Sequence, residues 1–311
     1  MKLLSIVFSF KNEEKNLSEL INRTVKTVSN LKNWKYEIIF VNDCSEDNSE
    51  KILLEFQKSY PITIINMSRT FGIAPCVLAG FRHAKGDAII YMDSDLQDPP
   101  ELIDKLINEY EKGSEVVHTV RSARLGETKL RLFLTNIAYK LINFFSDISL
   151  LTNAGDFKLI SRRALSKILE LQEFRPYIRG LSVWVGFKQA KVYYERSQRF
   201  SGKSQVPLFS PGPINEVIVG ITSYSTKPLF YSIIFGFFAI FVSIILSLYV
   251  LNAKLNGLAA FGSASIIITV CFFSGIILLT QGISGIYIAK IFEQVRGRKQ
   301  YVVENIKEPS L

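Results

Sequence analysis

The chain has 311 residues, 48% of them apolar and 21% charged, and a formal net charge of +9 from 37 Lys and Arg against 28 Asp and Glu. That balance excludes a disordered chain, and 18 Gly exclude a collagen-like one. Three cysteines (Cys44, Cys76, Cys271) form no C-x-x-C pair and argue for a reducing compartment, and two histidines, His83 and His118, are too few for a His-based zinc site. The basic excess calls for an anionic partner: nucleic acid, a membrane surface or a phosphorylated ligand.

The first apolar run, residues 3–10, predicts a buried strand. KNEE follows it and no small-residue cleavage site does, so it is not a signal peptide. Leu17, Leu20, Ile21, Val25 and Val28 have helical spacing within 13–29, and residues 36–41 predict a second strand. Asp47 with Glu50 three residues on resembles a capping box for a helix through Ser59. A third strand (62–65), a helix (74–84) and a fourth strand (88–92) follow. Pro99-Pro100 then opens a helix ending near Gly113, ahead of a fifth strand at 116–120. This alternation predicts an α/β domain built on a mostly parallel sheet covered on both faces. Ligands of such sheets gather at the carboxyl ends of the strands, where NEE, NDCSEDNS, SRTFG and DSDLQD fall.

Between Lys227 and Lys254 there is no charge, and Leu229 to Val250 would make a helix roughly 33 Å long. A second uncharged stretch runs through 255–289, with Gly275, Gly282 and Gly285 expected to allow close helix packing in lipid. Lys290, Arg296, Arg298 and Lys299 follow it, while the connector carries only Lys254, so both termini are expected in the cytoplasm. The expected organisation is a cytoplasmic domain at 1–210, a juxtamembrane linker at 211–227, two transmembrane helices at 228–290 and a cytoplasmic tail at 291–311.

Asp93 and Asp95, with Gln97 two residues on, leave the fourth strand as oxygen ligands suited to Mg²⁺ or Mn²⁺, which could clamp a diphosphate. Asp43 directly follows the second strand and could accept hydrogen bonds from a base or ribose, whereas Asp47 reads as a cap. Arg121, Arg124, Lys129 and Arg131 form a basic cluster beside an apolar face at 132–145, an expected membrane-surface helix near 130–146. Gly202-Lys203-Ser204 lacks the leading glycine of a P-loop, and the basic aromatic segment 193–199 matches no RNA-binding module, so no nucleic acid is expected.

Taken in order, FSFKNEEKNL, VNDCSEDNS, SRTFGIAPCVLAGFRHAKGD, MDSDLQDPPE, the Arg121 region, AGDFKLISRRA and IRGLSVWVGF before RFSGKS resemble the family two glycosyltransferases that use a polyprenyl-phosphate acceptor. The resemblance implies a GT-A, Rossmann-like domain and an inverting, metal-dependent transfer from a nucleotide sugar. By the same resemblance Glu13, Glu14 and Asp43 lie near the nucleoside, Asp93 and Asp95 hold the metal with Gln97 as a third ligand, and Arg121 and Arg131 hold the acceptor phosphate. Asp156 lies at the reaction centre, and Arg199 and Lys203 close over the donor phosphates. Two departures stand out: Asn42-Asp43-Cys44 replaces the usual Asp-Asp-Gly, and Gln205 stands where Lys is usual, with Lys203 as a substitute. The expected reaction moves a hexose, glucose from UDP-glucose, to undecaprenyl phosphate at the cytoplasmic face of the inner membrane, by a homo-oligomer such as a tetramer. Mannose, N-acetylhexosamine or aminoarabinose remain alternative sugars, and a non-catalytic membrane scaffold of the same fold is the alternative from another class.

Overall fold

The computed structural model describes residues 1–124, 129–147, 151, 153–171, 173–174, 176–196, 211–256 and 262–309. Its centre is an eight-stranded sheet. Strands β1 (Lys2–Phe10), β2 (Trp34–Asn42), β3 (Ile62–Met67) and β4 (Ala88–Asp93) are mutually parallel in the order β3-β2-β1-β4. Residues Leu4 to Phe8 of β1 are all buried, as a central strand covered on both faces requires.

Side chains alternate between two cores. Leu4, Ile6 and Phe8 face one layer with Ile38 and Phe40, where α1 (Glu14–Ser29), α2 (Ser49–Gln57) and α4 (Ile103–Glu111) supply Leu17, Leu20, Ile21, Leu53 and Leu106. Val7, Ile39 and Val41 face the other, against α3 (Ile73–His83), α6 (Arg162–Glu170) and α7 (Ile178–Trp184). Phe8 stacks on Phe40 with ring centroids 4.8 Å apart. Helix α3 lies so close to the sheet that a Cβ on Gly80 would sit 2.3 Å from Val7 Cγ1.

Beyond β4 the direction changes. Strand β6 (Ala154–Ser161) is antiparallel to β4 and to β5 (Val116–Arg124), and β7 (Gln189–Arg196) is parallel to β5. The order β7-β5-β6-β4 therefore brings the carboxyl ends of β4, β5 and β7 and the amino end of β6 to one edge.

Between β5 and β6 lies α5 (Lys129–Phe145), which leaves Ile137, Leu141 and Phe144 exposed along one side and buries Ile142. Ile142 packs against Gly220 of α8 (Pro211–Ser223), and Phe145 meets Tyr231 edge-on at 5.5 Å. Helices α9 (Lys227–Leu255) and α10 (Ser263–Val295) are long and apolar enough to cross a membrane, with mean hydropathy 2.7 and 2.2 over their spans. Cβ atoms on Gly275, Gly282 and Gly285 would meet nothing within 4 Å in the chain, so these three positions of α10 stand open.

The chain then returns. Strand β8 (Val303–Lys307) pairs antiparallel with β3 and becomes the edge strand on that side of the sheet. The reciprocal capping box expected at the start of α2 does not form, although Asp47 does cap the first amide of the helix. Asp47 accepts from the Ser49 and Glu14 backbone amides, and Glu50 accepts from Asn66 Nδ2 (2.6 Å) and Lys307 Nζ (2.8 Å).

Replacing Gly80 by Ala is expected to destabilise the purified protein by about 1–3 kcal/mol in thermal or denaturant unfolding, because the added carbon must displace Val7 in a close-packed core.

Candidate active site

The turn after β4 is shaped by its apolar member. Leu96 adopts φ 59°, a left-handed conformation that bulky residues avoid, while its side chain is buried among the α1-side core residues. Anchored there, the turn holds Asp93, Asp95 and Gln97 half-buried at the sheet edge, and the Gln97 amide donates to Asp95 Oδ1 at 3.1 Å. Tyr91, wholly inside the sheet, donates to Asp93 Oδ1 at 3.0 Å. Burial, then the charges of Asp156, Asp98 and Asp95, push the Asp93 carboxyl well above the usual carboxylate range.

The neighbouring carboxylates have dedicated cations. Asp98 is fully buried and accepts the Tyr194 hydroxyl proton. Arg121 Nη2 lies 3.7 Å from its Oδ2, and Arg196 Nε 3.5 Å from its Oδ1. Arg121 Nε also donates to Tyr194 Oη at 3.2 Å. Asp156, at the start of β6, is held in a two-pronged pair by Arg179 of α7, whose Nε donates to Oδ1 at 2.7 Å and whose Nη2 donates to Oδ2. Burial opposes the charge on Asp156, yet the Arg179 guanidinium with its hydrogen bonds, then Lys158 and Arg121, holds this carboxyl well below the ordinary range. Gly155 leaves room for the Arg121 guanidinium, since a Cβ there would lie 2.8 Å from Arg121 Nη2 and push it aside.

Beneath this pair lies a buried basic layer. Lys158 donates to Ser182 Oγ at 3.1 Å, and burial, partly countered by Asp156, brings its pKa down to about 8. His118 faces Gln189 Oε1 at 3.0 Å, and burial followed by the Lys158 charge brings its pKa down to about 4.

A second cluster forms where β1 and β2 end, Phe10 being in register with Asn42. Asp43 accepts from the backbone amides of Phe71 (2.7 Å) and Gly72 (3.0 Å), tying the β3–α3 loop to β2. Glu14 accepts from the Asn48 backbone and side-chain amides, and Glu13 takes the Asn16 side-chain amide. Asn12 and Cys44 are both left-handed (φ 55° and 59°). The second is the position where the related motif carries Gly, the residue that tolerates this conformation best.

The residues predicted from sequence thus fall into two groups: Glu13, Glu14 and Asp43 at β1–β2, and Asp93, Asp95, Gln97, Arg121 and Asp156 at β4–β6. Arg131 lies on α5 with its side chain outside the described residues, as are Arg199 and Lys203 entirely. The sequence reading missed Asp98, Lys158, Arg179, Tyr194 and Arg196. For the last two a signal existed, because Val192 and Tyr194 are buried alternately along β7 and Arg196 continues that face.

An open mixed sheet with carboxylates and arginines converging on one edge defines a GT-A-like domain. The family model for Glycosyl transferase family 2 matches residues 5–169. The uncharacterized glycosyltransferase YkcC of Bacillus subtilis is 37% identical over 302 residues, covering 96% of this chain and 93% of the relative. The bactoprenol glucosyl transferase of Shigella phage SfV is 33% identical over 308 residues, covering 98% and 99%. Among solved structures, glucosyl-3-phosphoglycerate synthase from Mycobacterium tuberculosis, in complex with Mn²⁺, UDP-glucose and phosphoglyceric acid, aligns at a TM-score of 0.48 and 17% identity over 71% of this chain and 79% of that one. The chain belongs to glycosyl transferase family 2 and is a glycosyltransferase.

Two outcomes are expected. Arg179→Ala strands the Asp156 charge and lowers glycosyl transfer by at least about 100-fold, while thermal unfolding shows a loss of about 3 kcal/mol. For His118, the folded pKa of about 4 lies below the unfolded value of about 6.5. The unfolded chain therefore binds the proton first, and stability falls as pH drops from about 6.5 towards 4, by about 3 kcal/mol in all. Melting curves across that window are expected to be steeper in pH for the wild type than for His118→Asn.

Proposed function

We propose that this chain transfers a hexose, glucose from UDP-glucose, to undecaprenyl phosphate at the cytoplasmic face of the inner membrane, with inversion at the anomeric carbon. The observation that carries the reading is the partition of charge at the sheet edge. Asp98 and Asp156 are matched by Arg121, Arg196 and Arg179, while Asp93 is burdened by three other carboxylates. That excess suits a divalent cation. Mg²⁺ and Mn²⁺ are commonly held by one or two carboxylates and completed by substrate phosphates. Asp95 and Asp93 would hold the ion, with Gln97 beside them, and when bound it neutralises charge on the departing diphosphate.

The acceptor oxygen attacks the anomeric carbon as the bond from that carbon to the diphosphate oxygen breaks, and the electron pair leaves with the nucleotide. A phosphate monoester, with a second pKa of about 6, is already largely dianionic near neutrality, so the attack needs no strong base. Asp156 suits that requirement: clamped by Arg179 it stays ionised and serves as a fixed hydrogen-bond acceptor for sugar or acceptor groups. Arg121 stands beside it, and Arg131, Arg199 and Lys203 are assigned to the phosphates by family resemblance. Glu13, Glu14 and Asp43 are assigned to the nucleoside end.

The lipid acceptor is supported by the phage relative and by the exposed apolar row of α5 next to α9. Placement of both termini on one side is supported by β8, which follows two apolar helices and joins the same sheet as β1, and the basic residues after α10 favour the cytoplasmic side.

The test is transfer of label from a panel of nucleotide sugars to undecaprenyl phosphate by the purified full-length protein with Mg²⁺ or Mn²⁺. Metal-dependent labelled lipid from UDP-glucose is expected, and Asp95→Ala is expected to lower it at least about 1,000-fold with an unchanged melting temperature. Label from a different donor would replace glucose in the reading, and undiminished transfer by Asp95→Ala would overturn the metal assignment.

A further inference from the structure

The C-terminal strand does more than cover an edge. Asn66, at the end of β3, is buried and its side-chain amide is fully engaged. Its Nδ2 donates to Glu50 Oε1 (2.6 Å) and to Asn305 Oδ1 (2.9 Å), and its Oδ1 accepts from Asn42 Nδ2 (2.9 Å). The orientation follows from chemistry. Glu50, paired with Lys307, is an acceptor only, so Asn66 must turn its NH₂ outward and its oxygen towards Asn42. Asn42 must then present its own NH₂, which leaves Asn42 Oδ1 to accept from the Ser45 backbone amide (2.9 Å).

That last bond closes the turn containing Asp43 and left-handed Cys44. Ser45 and Glu46 in turn bond to Asn12, and Asp47 and Asn48 to Glu14, so one amide relay from the tail sets the whole β1–β2 loop pair. A non-glycine residue at φ 59° persists only where its surroundings over-determine it, and the relay supplies that determination.

We propose that β8 is part of the donor site, with Asn305 a positioning residue that fixes the Asp43–Asn48 loop through Asn66 and Asn42. The relay also accounts for Asn at position 42 in place of the Asp usual in the related motif. A carboxylate there would set oxygen against the Asn66 oxygen and add a second anion near Glu50. The inference rests on the reading of that loop as the nucleoside end of a glycosyl-transfer site.

The experiment uses the full-length protein and steady-state transfer, with donor and acceptor varied separately. Asn305→Leu removes one of the two acceptors of Asn66 Nδ2, leaving Glu50, and is expected to raise the donor KM about three- to tenfold, with kcat and the acceptor KM within twofold of wild type. Asn305→Asp retains an acceptor and is expected to restore the donor KM. Asn42→Asp, a change buried inside the relay, is expected to raise the donor KM at least as far as Asn305→Leu. Active wild type with an unchanged donor KM in Asn305→Leu would overturn the proposal. So would equal losses for donor and acceptor, or failure of Asn305→Asp to rescue, since either marks a merely structural strand. Inactive wild type with every donor would instead overturn the functional reading on which the proposal rests.

Discussion

Four carboxylates, Asp93, Asp95, Asp98 and Asp156, share one end of a sheet, and the local structure is arranged around their mutual repulsion. Asp98 is fully buried and the other three are only partly exposed, so their charges are poorly screened by water and call for nearby cations. Asp98 draws Arg121 and Arg196 from two neighbouring strands, and Asp156 draws Arg179 from a helix on the sheet's other side. These pairings are why β6 runs against its neighbours without disturbing the edge: its amino end delivers Asp156 where β4, β5 and β7 deliver their carboxyl ends. The fold thereby spends three of its own arginines on two of the acids, Asp98 and Asp156.

The N-terminal half was legible because its signals are local. Strands β1 to β4 are short apolar runs, their helices carry 3.6-residue periodicity, and the polar clusters fall where parallel strands end. Asp93, Asp95 and Asp156 were legible as motif members and Arg121 by its basic neighbours. The antiparallel insertion of β6 was not, since a buried strand reads the same in either direction. Arg179 was hidden for a related reason: its partner is 23 residues away and on another element, and nothing in IRGLSVW distinguishes it from a surface arginine. The tail was hidden most fully, because VENIK is a weak strand by composition and becomes one only against the open edge of β3.

The same long-range logic ties the catalytic domain to its apolar helices. Gly180 of α7 admits Tyr224, whose hydroxyl donates to the Tyr177 carbonyl at 3.0 Å, and a Cβ on Gly180 would lie 2.2 Å from that ring. Tyr287 and Lys290 of α10 bond to Ser225 and Ser223, and Gln294 accepts from the Phe174 amide. The short helix that carries Arg179 is therefore braced from the α8–α9 junction, and the segment before it from α10. The helix that carries the clamp on Asp156 is thus linked mechanically to the apolar helices.

The late position of β8 also imposes an order on biosynthesis. Every other strand of the sheet precedes α9, so the sheet is eligible to assemble while the apolar helices are still being made. One edge, β3, then stands open with unpaired backbone amides and carbonyls, a template for pairing with other chains. It is closed only by residues that leave the ribosome after both apolar helices. Completion of the sheet is thus a report that both apolar helices have been made and the chain has turned back, and a chain truncated within α10 is left with apolar β3 as its edge in place of the short, charged β8.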